Sequence, residues 1–185
     1  MATIKVRLLD EADWREYRRI RLESLQQSPS AFASTYDDEA ALPDSAWQER
    51  VRTAHRLLAT RDREPVGVVS LGVDEAERTG EVAELWAAPE ARSSGVARRL
   101  VEAATERATA LGLRTVSYWV STENARALGF ATNFGFRLTS QRRTVAAHQQ
   151  EFGDQEIALV MTLAPDSGTA PNPTAPRLRS QPGPG

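Results

Sequence analysis

The chain has 185 residues, 41% of them hydrophobic, which is enough for one domain that buries roughly 70% of its unfolded surface. Its 23 Lys and Arg residues against 25 Asp and Glu residues give a net charge of −2, so no overall basic field exists to hold nucleic acid or an anionic membrane. With no cysteine and two histidines, disulfides, thiolate metal sites and a cysteine nucleophile are excluded, and no metal site is predicted.

The N-terminal segment predicts a strand followed by a helix. Residues 4–8 alternate between apolar and basic side chains, as in a half-buried strand. Asp10 is placed to cap a helix that continues at helical spacing until Ser28 and Pro29. The segment lacks the apolar core of a signal peptide, and no apolar run in the chain approaches membrane-spanning length. We therefore expect a cytoplasmic protein.

The segment after the first helix combines aromatic side chains with a run of three acids. We expect Phe32 and Tyr36 to lie in the core, and the acids at 37–39 to form a solvated face or a helix start. The alternative is an acidic rim that would suit a cationic amine. A second short helix is predicted from residue 44 through Val51.

A hairpin and a third strand follow. Residues 56–60 and 65–73 are predicted strands joined by a polar turn. The apolar run 82–88 is the next strand, and it ends at Pro89, which cannot donate to a β-ladder. A turn of small residues then leads into a long helix with one apolar face, which Gly112 stops.

The second half of the chain completes an α/β fold with a largely antiparallel sheet. Residues 113–120 form a strand that should be parallel to the strand before the long helix, because a βαβ crossover is the natural connection. A helix over 124–134 ends at Gly135. Residues 136–145 and 156–163 are the closing strands.

The composition changes abruptly after residue 164. Residues 165–185 contain six prolines and few apolar residues, so they cannot bury a core. We predict one domain over residues 1–164 and a disordered Pro-rich tail over 165–185.

The turn before the long helix has the properties of a pyrophosphate-binding site. Ser93, Ser94 and Gly95 leave room for a ligand to reach the backbone. The first amides of the helix have no intrahelical partner and can bind an anionic phosphate. Arg92 and either Arg98 or Arg99 could add positive charge. The alternative is an ordinary serine-capped turn between a strand and an amphipathic helix.

Three motifs occur together in this half of the chain. The turn has the pattern R-x-x-G-x-A from Arg92 to Ala97, N-x-x-A follows from Asn124 to Ala127, and x-G-F ends the next helix at Phe136. This combination resembles the GNAT N-acetyltransferases over residues 3–164. The resemblance implies the acyl-CoA N-acyltransferase (GNAT) fold and acetyl-CoA as cosubstrate, and it does not define the acceptor.

The resemblance also implies how acetyl-CoA binds. The strand before the long helix and the strand after it splay apart, and the pantetheine arm lies in the opening. A main-chain amide near Ala87 polarises the thioester carbonyl. The implied cosubstrate-binding residues are Trp86, Ala87, Ala88, Arg92, Ser93, Ser94, Gly95, Val96, Ala97 and Asn124. Asn124 also has a simpler role as a helix cap, which needs no ligand.

Two glutamates near Ala87 are candidates for the group that deprotonates the amine. A glutamate on a buried strand is costly unless it is paired or functional. Strict alternation puts Glu84 on the opposite face from Ala87, but the family has a β-bulge near this point, which would bring the two together. We therefore favour Glu84, with Glu81 as the candidate if the bulge is absent. The alternative is that both are surface glutamates paired with arginines.

The group that protonates the leaving thiolate is where the chain departs from the family. The tyrosine that the resemblance places seven residues after Asn124 is Ala131 here. Tyr118, His148 and Tyr36 are the replacements, in that order; otherwise the thiolate leaves unassisted or takes a proton through water. The thiolate of coenzyme A is only a weak base. The absence of a proton donor therefore slows its release without preventing it.

The sequence thus predicts an N-acetyltransferase acting on a primary amine of a small molecule, protein or peptide. The alternatives are a CoA-binding sensor or interaction module with little activity, and a Rossmann-type nucleotide binder. The second alternative lacks its G-x-G-x-x-G motif. The acceptor is left open, as is assembly into a homodimer.

Overall fold

The structure is a computed structural model that describes residues 3–145 and 155–163. The strands within these ranges are β1 Ile4–Leu8, β2 His55–Arg61, β3 Glu64–Asp74, β4 Thr79–Ala87, β5 Thr115–Ser121, β6 Arg137–Thr144 and β7 Gln155–Thr162. The α-helices are α1 Trp14–Gln27, α2 Tyr36–Ala40, α3 Asp44–Thr53, α4 Val96–Ala110 and α5 Ala125–Phe134. Short 3₁₀ turns lie at Glu11–Asp13, Pro29–Ala31 and Pro89–Ala91.

One seven-stranded mixed sheet organises these elements, in the order β1-β2-β3-β4-β5-β7-β6. The pair β4 and β5 is parallel and the other pairs are antiparallel. The parallel pairing runs from Thr79 opposite Thr115 to Val82 opposite Tyr118, although both strands continue further. The predicted mixed α/β fold, with a mostly antiparallel sheet and one splayed parallel pair, is confirmed.

Helices cover both faces of the sheet. On one face, Tyr17 of α1 is fully buried and lies under the guanidinium of Arg56 from β2. On the other face, Val96 and Leu100 of α4 lie beside Gly67 of β3. Buried apolar side chains of the sheet and of the helices on both faces pack together into one core.

Gly67 allows the first turns of α4 to approach the sheet closely. A Cβ at this position would lie 2.7 Å from the carbonyl oxygen of Trp86, 2.7 Å from a methyl group of Val96 and 3.0 Å from one of Leu100. The carbonyl belongs to the backbone of β4 and cannot move without distorting the strand. Gly67 therefore sets the distance between β3 and the start of α4.

The segment between α1 and β2 differs from its prediction in two ways. The acidic run forms the first turn of a short helix, α2, in agreement with the expected helix start, and Thr35 caps this helix by accepting a hydrogen bond from the Asp38 amide. Tyr36 is 40% exposed, so the expectation of a core position is wrong for it, whereas Phe32 is buried as expected. Glu39 is only 2% exposed, so it does not belong to a solvated face.

Glu39 is buried because two arginines pair with it. Its Oε1 accepts from Nη2 of Arg21 at 2.7 Å, and its Oε2 accepts from Nε of Arg21 at 3.1 Å and from Nη1 of Arg50 at 2.6 Å. Burial alone would raise the pKa of Glu39, but the hydrogen bonds and charges of the two arginines outweigh it and lower the pKa. The carboxylate thereby ties α2 to both α1 and α3.

Some predictions fall outside the described residues. The Pro-rich tail over 165–185 lies there, as does His148. Within the part of the chain that the structure describes, no helix has the length and apolar character needed to cross a bilayer.

We expect Gly67→Ala to destabilise the fold by about 1–3 kcal/mol, because the added methyl group overlaps the Trp86 carbonyl and Val96. The melting temperature should fall by several degrees. Gly72→Ala is the matched control on the same strand, because the nearest atom to its Cβ lies 3.9 Å away. Equal melting temperatures for the two variants would contradict the close packing of α4 on β3.

We expect Glu39→Gln to cost about 3–5 kcal/mol at neutral pH, because it leaves the buried Arg21 and the partly buried Arg50 without a full counter-charge. Folding lowers the pKa of Glu39, so its stabilisation is complete above the ordinary value of 4.5 and is lost as the pH falls below it. Melts between pH 7 and pH 3 should therefore show a weaker pH dependence in Glu39→Gln than in the native chain. Asp37→Asn, an exposed acid of the same helix, should leave that dependence nearly intact.

Candidate active site

A β-bulge interrupts β4 next to Glu84. Ser70 of β3 pairs with Ala83 and Val68 pairs with Trp86, so one residue of β3 faces two of β4. Glu84 has a φ of +54°, which is uncommon for a residue with a side chain. Such backbone strain is often found at functional positions. The bulge on which the preference for Glu84 over Glu81 depended is present.

The side chain of Glu84 lies within a polar cluster on the α1 face of the sheet. Its Oε2 accepts hydrogen bonds from Ser70 Oγ at 2.6 Å and from the Tyr17 hydroxyl at 3.2 Å, and it pairs with Arg56. Its Oε1 lies 3.5 Å from Nη2 of Arg21. The side chain of Glu84 is 24% exposed and lines the neighbouring pocket.

These neighbours keep Glu84 ionised. Burial would raise the pKa of its carboxyl, but the charges of Arg56 and Arg21, with the hydrogen bond from Ser70, lower it overall. Glu81 is more exposed, at 43%, and lies 3.6 Å from Arg143. Both glutamates are therefore paired with arginines, as the alternative interpretation of the sequence expected.

The bulge does not bring Glu84 and Ala87 to the same face. Ala87 pairs with Gly67, which faces α4, whereas Glu84 contacts α1 on the other face. The sequence-based expectation is wrong on this point, because the bulge turns the side chain of Glu84 toward Ser70. A main-chain amide lies near the plane of the sheet, however, so its direction is independent of the face.

The amide of Ala87 is directed into the opening between β4 and β5. The amide of the next residue, Ala88, donates to the Val66 carbonyl of β3 at 2.9 Å. Because successive residues of an antiparallel strand direct their amides to opposite sides, that of Ala87 points away from β3. On that side β5 has already separated, since parallel pairing stops at Val82 and Tyr118.

A cleft of about 510 Å³ runs from this opening to the start of α4. The predicted cosubstrate residues that line it are Trp86, Ala87, Arg92, Ser93, Gly95, Val96 and Ala97. Ala88, Ser94 and Asn124 are not among its lining residues. Ser94 Oγ instead donates to the Ala91 carbonyl at 2.6 Å, and Asn124 caps α5 by accepting from the Ala127 amide at 3.0 Å.

The turn at the head of the cleft presents backbone rather than side chains. Ser93 and Gly95 have φ values of +64° and +89°. A Cβ at Gly95 would meet no atom within 4 Å, so the space above the turn is open. The first amides of α4 then follow without a side-chain cap. This arrangement offers unpaired donors to an anion.

Positive charge lines the same cleft. Among the described lining residues there are three arginines, Arg92, Arg98 and Arg126, and no acid. Arg98 and Arg99 each bind Glu102 at 3.0 Å, and of these two only Arg98 lines the cleft. Arg126 was missed by the sequence analysis, because an arginine in the first turn of a helix resembles a solvated residue.

Ser28 closes the cleft from the end of α1. Its Oγ accepts from the Trp86 indole nitrogen at 3.2 Å and from Arg92 Nη2 at 3.0 Å. The turn after α1 is thereby held against both β4 and the turn that precedes α4. No local signal in the sequence predicted this contact, which joins residues 58 and 64 positions apart.

A second pocket, of about 220 Å³, lies beside the preceding part of β4, residues 81–85. Glu84 and Glu81 line it, with Arg21, Phe32 and Tyr118. It shares Ala31 and Leu85 with the first cleft. The two cavities therefore meet beside the bulge, where a group bound in one would face a group bound in the other.

The candidate proton donors are placed differently from one another. Tyr118 lines the second pocket, and burial, with the nearby charge of Glu156, raises its pKa to about 12. Tyr36 lies on the exposed side of α2 and lines neither cavity. Ala131, at the position where the family has tyrosine, is fully buried. His148 lies outside the described residues, so Tyr118 is the candidate that the structure brings to the site.

The sequence analysis missed the side chains that surround Glu84. Tyr17 and Arg21 are spaced so that both fall on the buried face of α1. This spacing is the signal in the sequence that Arg21 is not a surface charge. Arg56 and Ser70 carry no comparable signal. No group of three or more His, Cys, Asp or Glu side chains that could hold a metal ion occurs in residues 3–145 or 155–163.

Comparison with known proteins agrees with this geometry. Residues 11–136 match the model of the Acetyltransferase (GNAT) family. No curated protein is similar enough in sequence to match the chain.

Solved structures of low sequence identity share the fold. A GNAT-family acetyltransferase from Streptococcus pneumoniae is 19% identical, with a TM-score of 0.71 over 88% of this chain and 100% of that one. The yncA protein from Salmonella typhimurium, solved with its cofactor acetyl-CoA, is 18% identical, with a TM-score of 0.67 over 93% and 99%. The ribosomal-protein-S18-alanine N-acetyltransferase from Escherichia coli is 13% identical, with a TM-score of 0.67 over 91% and 99%. Since the family model covers more than half of the sequence, the chain belongs to the GNAT acetyltransferase family and is an acyltransferase.

Proposed function

We propose that the protein transfers the acetyl group of acetyl-CoA to a primary amine of a small molecule. The observation that carries the proposal is the pair of cavities that meet beside the bulge of β4. One cavity is lined by three arginines and the backbone of a glycine-containing turn, and the other by Glu84. An anionic thioester bound in the first cavity and an amine bound in the second would thus meet at Ala31 and Leu85.

The cleft fits the chemistry of acetyl-CoA. The pyrophosphate would bind the backbone from Ser93 to Ala97, with Arg92 and Arg98 supplying charge. The pantetheine arm would follow the open edge of β4, whose amides lack a partner from β5 beyond Val82. The Ala87 amide is directed to the same edge and would polarise the thioester carbonyl.

The transfer itself needs few groups. The amine nitrogen attacks the carbonyl carbon, so that a C–N bond forms and the C–S bond breaks. The electron pair of the C–S bond leaves with sulfur, and the nitrogen loses one proton. The amide product and the thiol of CoA account for all atoms once that proton, or one from water, reaches the sulfur.

Glu84 is the group in place to act on the amine. Its anionic carboxylate would hold the incoming ammonium and accept its proton, directly or through water. A lowered pKa makes it a weak base, so its electrostatic attraction for the ammonium is part of its role. Tyr118 stays protonated with a pKa of about 12, and it would donate a hydrogen bond to the thiolate rather than transfer its proton outright.

A CoA-binding protein with little activity is the second candidate function. The buried Ala131 at the usual tyrosine position favours it, since a methyl group supplies no proton. Release of CoA thiol from acetyl-CoA over a panel of amines separates the two candidates.

We expect Gly95→Glu to weaken binding of acetyl-CoA roughly tenfold or more, because it places bulk and negative charge where the pyrophosphate would lie. Calorimetric titration with acetyl-CoA measures the effect. Gly112→Glu is the matched control at the opposite end of α4, because Gly112 has a comparable φ of +72°. It introduces the same backbone strain and charge outside the cleft. An unchanged affinity in Gly95→Glu would remove the turn from the binding site.

We expect Glu84→Gln to lower turnover at neutral pH by roughly 10²- to 10⁴-fold, the span of general base catalysis, with nearly constant affinity for acetyl-CoA. Initial rates of thiol release, measured from pH 6 to pH 9, test this expectation. The loss should shrink at high pH, where the amine arrives neutral.

Two further variants separate a catalytic effect from a structural one. Glu39→Gln also removes a carboxylate from Arg21 but does not line either cavity, so below its melting temperature it should retain most of the turnover. Near-normal turnover in Glu84→Gln with a collapse in Glu81→Gln would assign the role to Glu81 instead.

A further inference from the structure

Arg21 has a donor that the fold leaves unused. Its Nε and Nη2 bind Glu39, and Nη2 also approaches Glu84. Its Nη1 is buried and has no hydrogen-bond partner among the residues that the structure describes. The side chain is 3% exposed and lines the second pocket, where the ring of Phe32 packs at 4.4 Å from its guanidinium carbon. An unsatisfied N–H of a buried charged group is costly, so a ligand atom that accepts from it would be strongly favoured.

The charges around this pocket are otherwise balanced. Glu84 pairs with Arg56 and Arg21, while Glu81 and Glu156 both pair with Arg143. The pocket therefore has no spare carboxylate for the second or third ammonium group of a polycation. A molecule with one ammonium and one anionic group would preserve the balance.

The size of the pocket points the same way. Its volume of about 220 Å³ is less than half the 510 Å³ of the first cleft. A pocket of this size suits a molecule of amino-acid size better than an aminoglycoside or a folded protein segment.

We propose that the acceptor is a small amino-acid-like zwitterion, with its carboxylate bound by Nη1 of Arg21 and its ammonium group facing Glu84. This inference rests on the proposed acetyl transfer and specifies its substrate class. Arg21 is then a specificity-determining residue, because it binds the carboxylate, whose carbon lies two bonds from the reacting nitrogen. A carboxylate and a guanidinium N–H form a charge-assisted hydrogen bond, which is stronger than a neutral one.

The test compares each amino acid with the amine that lacks its carboxylate. Methionine, leucine and phenylalanine are paired with 3-(methylthio)propylamine, isoamylamine and phenethylamine, each with acetyl-CoA and the full chain, at equal concentrations of the neutral amine. We expect kcat/KM to be roughly 10- to 100-fold higher for at least one amino acid than for its partner, as for a hydrogen bond to a charged group. Equal or higher values for all the decarboxylated amines would overturn the inference and leave the proposed acetyl transfer intact. Absence of thiol release with every amine, while acetyl-CoA binds, would overturn the proposed function and this inference with it.

Two variants assign the preference to Arg21. Arg21→Lys retains a charge opposite Glu39 but has no donor at the position of Nη1. The ratio of kcat/KM for an amino acid to kcat/KM for its decarboxylated amine should therefore fall toward one. Arg50→Lys makes the same chemical change at the other partner of Glu39, which does not line the pocket, and should retain the ratio. A folded Arg21→Lys protein with an unchanged ratio would overturn the assignment. If that variant fails to fold, as a thermal melt would reveal, the comparison of substrate pairs on the native chain decides.

Discussion

The separation of β4 from β5 is the constraint on which the site depends. The two strands pair in parallel only as far as Val82 and Tyr118, and β4 then continues with a partner on one side alone. An open strand edge inside a sheet leaves main-chain donors for a ligand, as the direction of the Ala87 amide illustrates. The bulge at Glu84 lies where this separation begins, and bulges increase the local twist of a strand. The first cleft and the second pocket share Leu85 on this short stretch of backbone.

A buried network of charges supports the acceptor side of that opening. Arg21 joins Glu39, which anchors α2 and α3, to Glu84, which faces the pocket. Charges with so little exposure are costly unless each has a close partner, and the network provides these partners with the exception of Arg21 Nη1. The residues that hold the first three helices together are thus continuous with those that would meet the substrate. A carboxylate held this firmly in its ionised form is better suited to attract an ammonium group than to act as a strong base.

One side of the proposed site consists mainly of backbone groups, and the other consists mainly of side chains. The cosubstrate side uses backbone amides and a turn with positive φ values at Ser93 and Gly95, which many sequences could supply. The acceptor side uses particular side chains of α1, β2, β3 and β4, and its charges come from residues far apart in the chain. This difference explains why resemblance to the family identified the cosubstrate turn and left the acceptor undefined.

The sequence by itself determined the features that depend on local backbone chemistry. Pro89 ended β4, Gly112 and Gly135 ended α4 and α5 with positive φ, and R-x-x-G-x-A located the glycine-containing turn before α4. Each of these signals acts within a few residues, so no knowledge of the fold was needed.

Only the tertiary structure decided the surroundings of Glu84. Arg21 and Glu39 are 18 residues apart and Arg56 and Glu84 are 28 apart, and each resembles a solvated charge until the sheet brings its partner near. The direction in which the bulge turns Glu84 was likewise set by its partners on β2, β3 and α1, because a bulge permits more than one orientation and long-range contacts select among them.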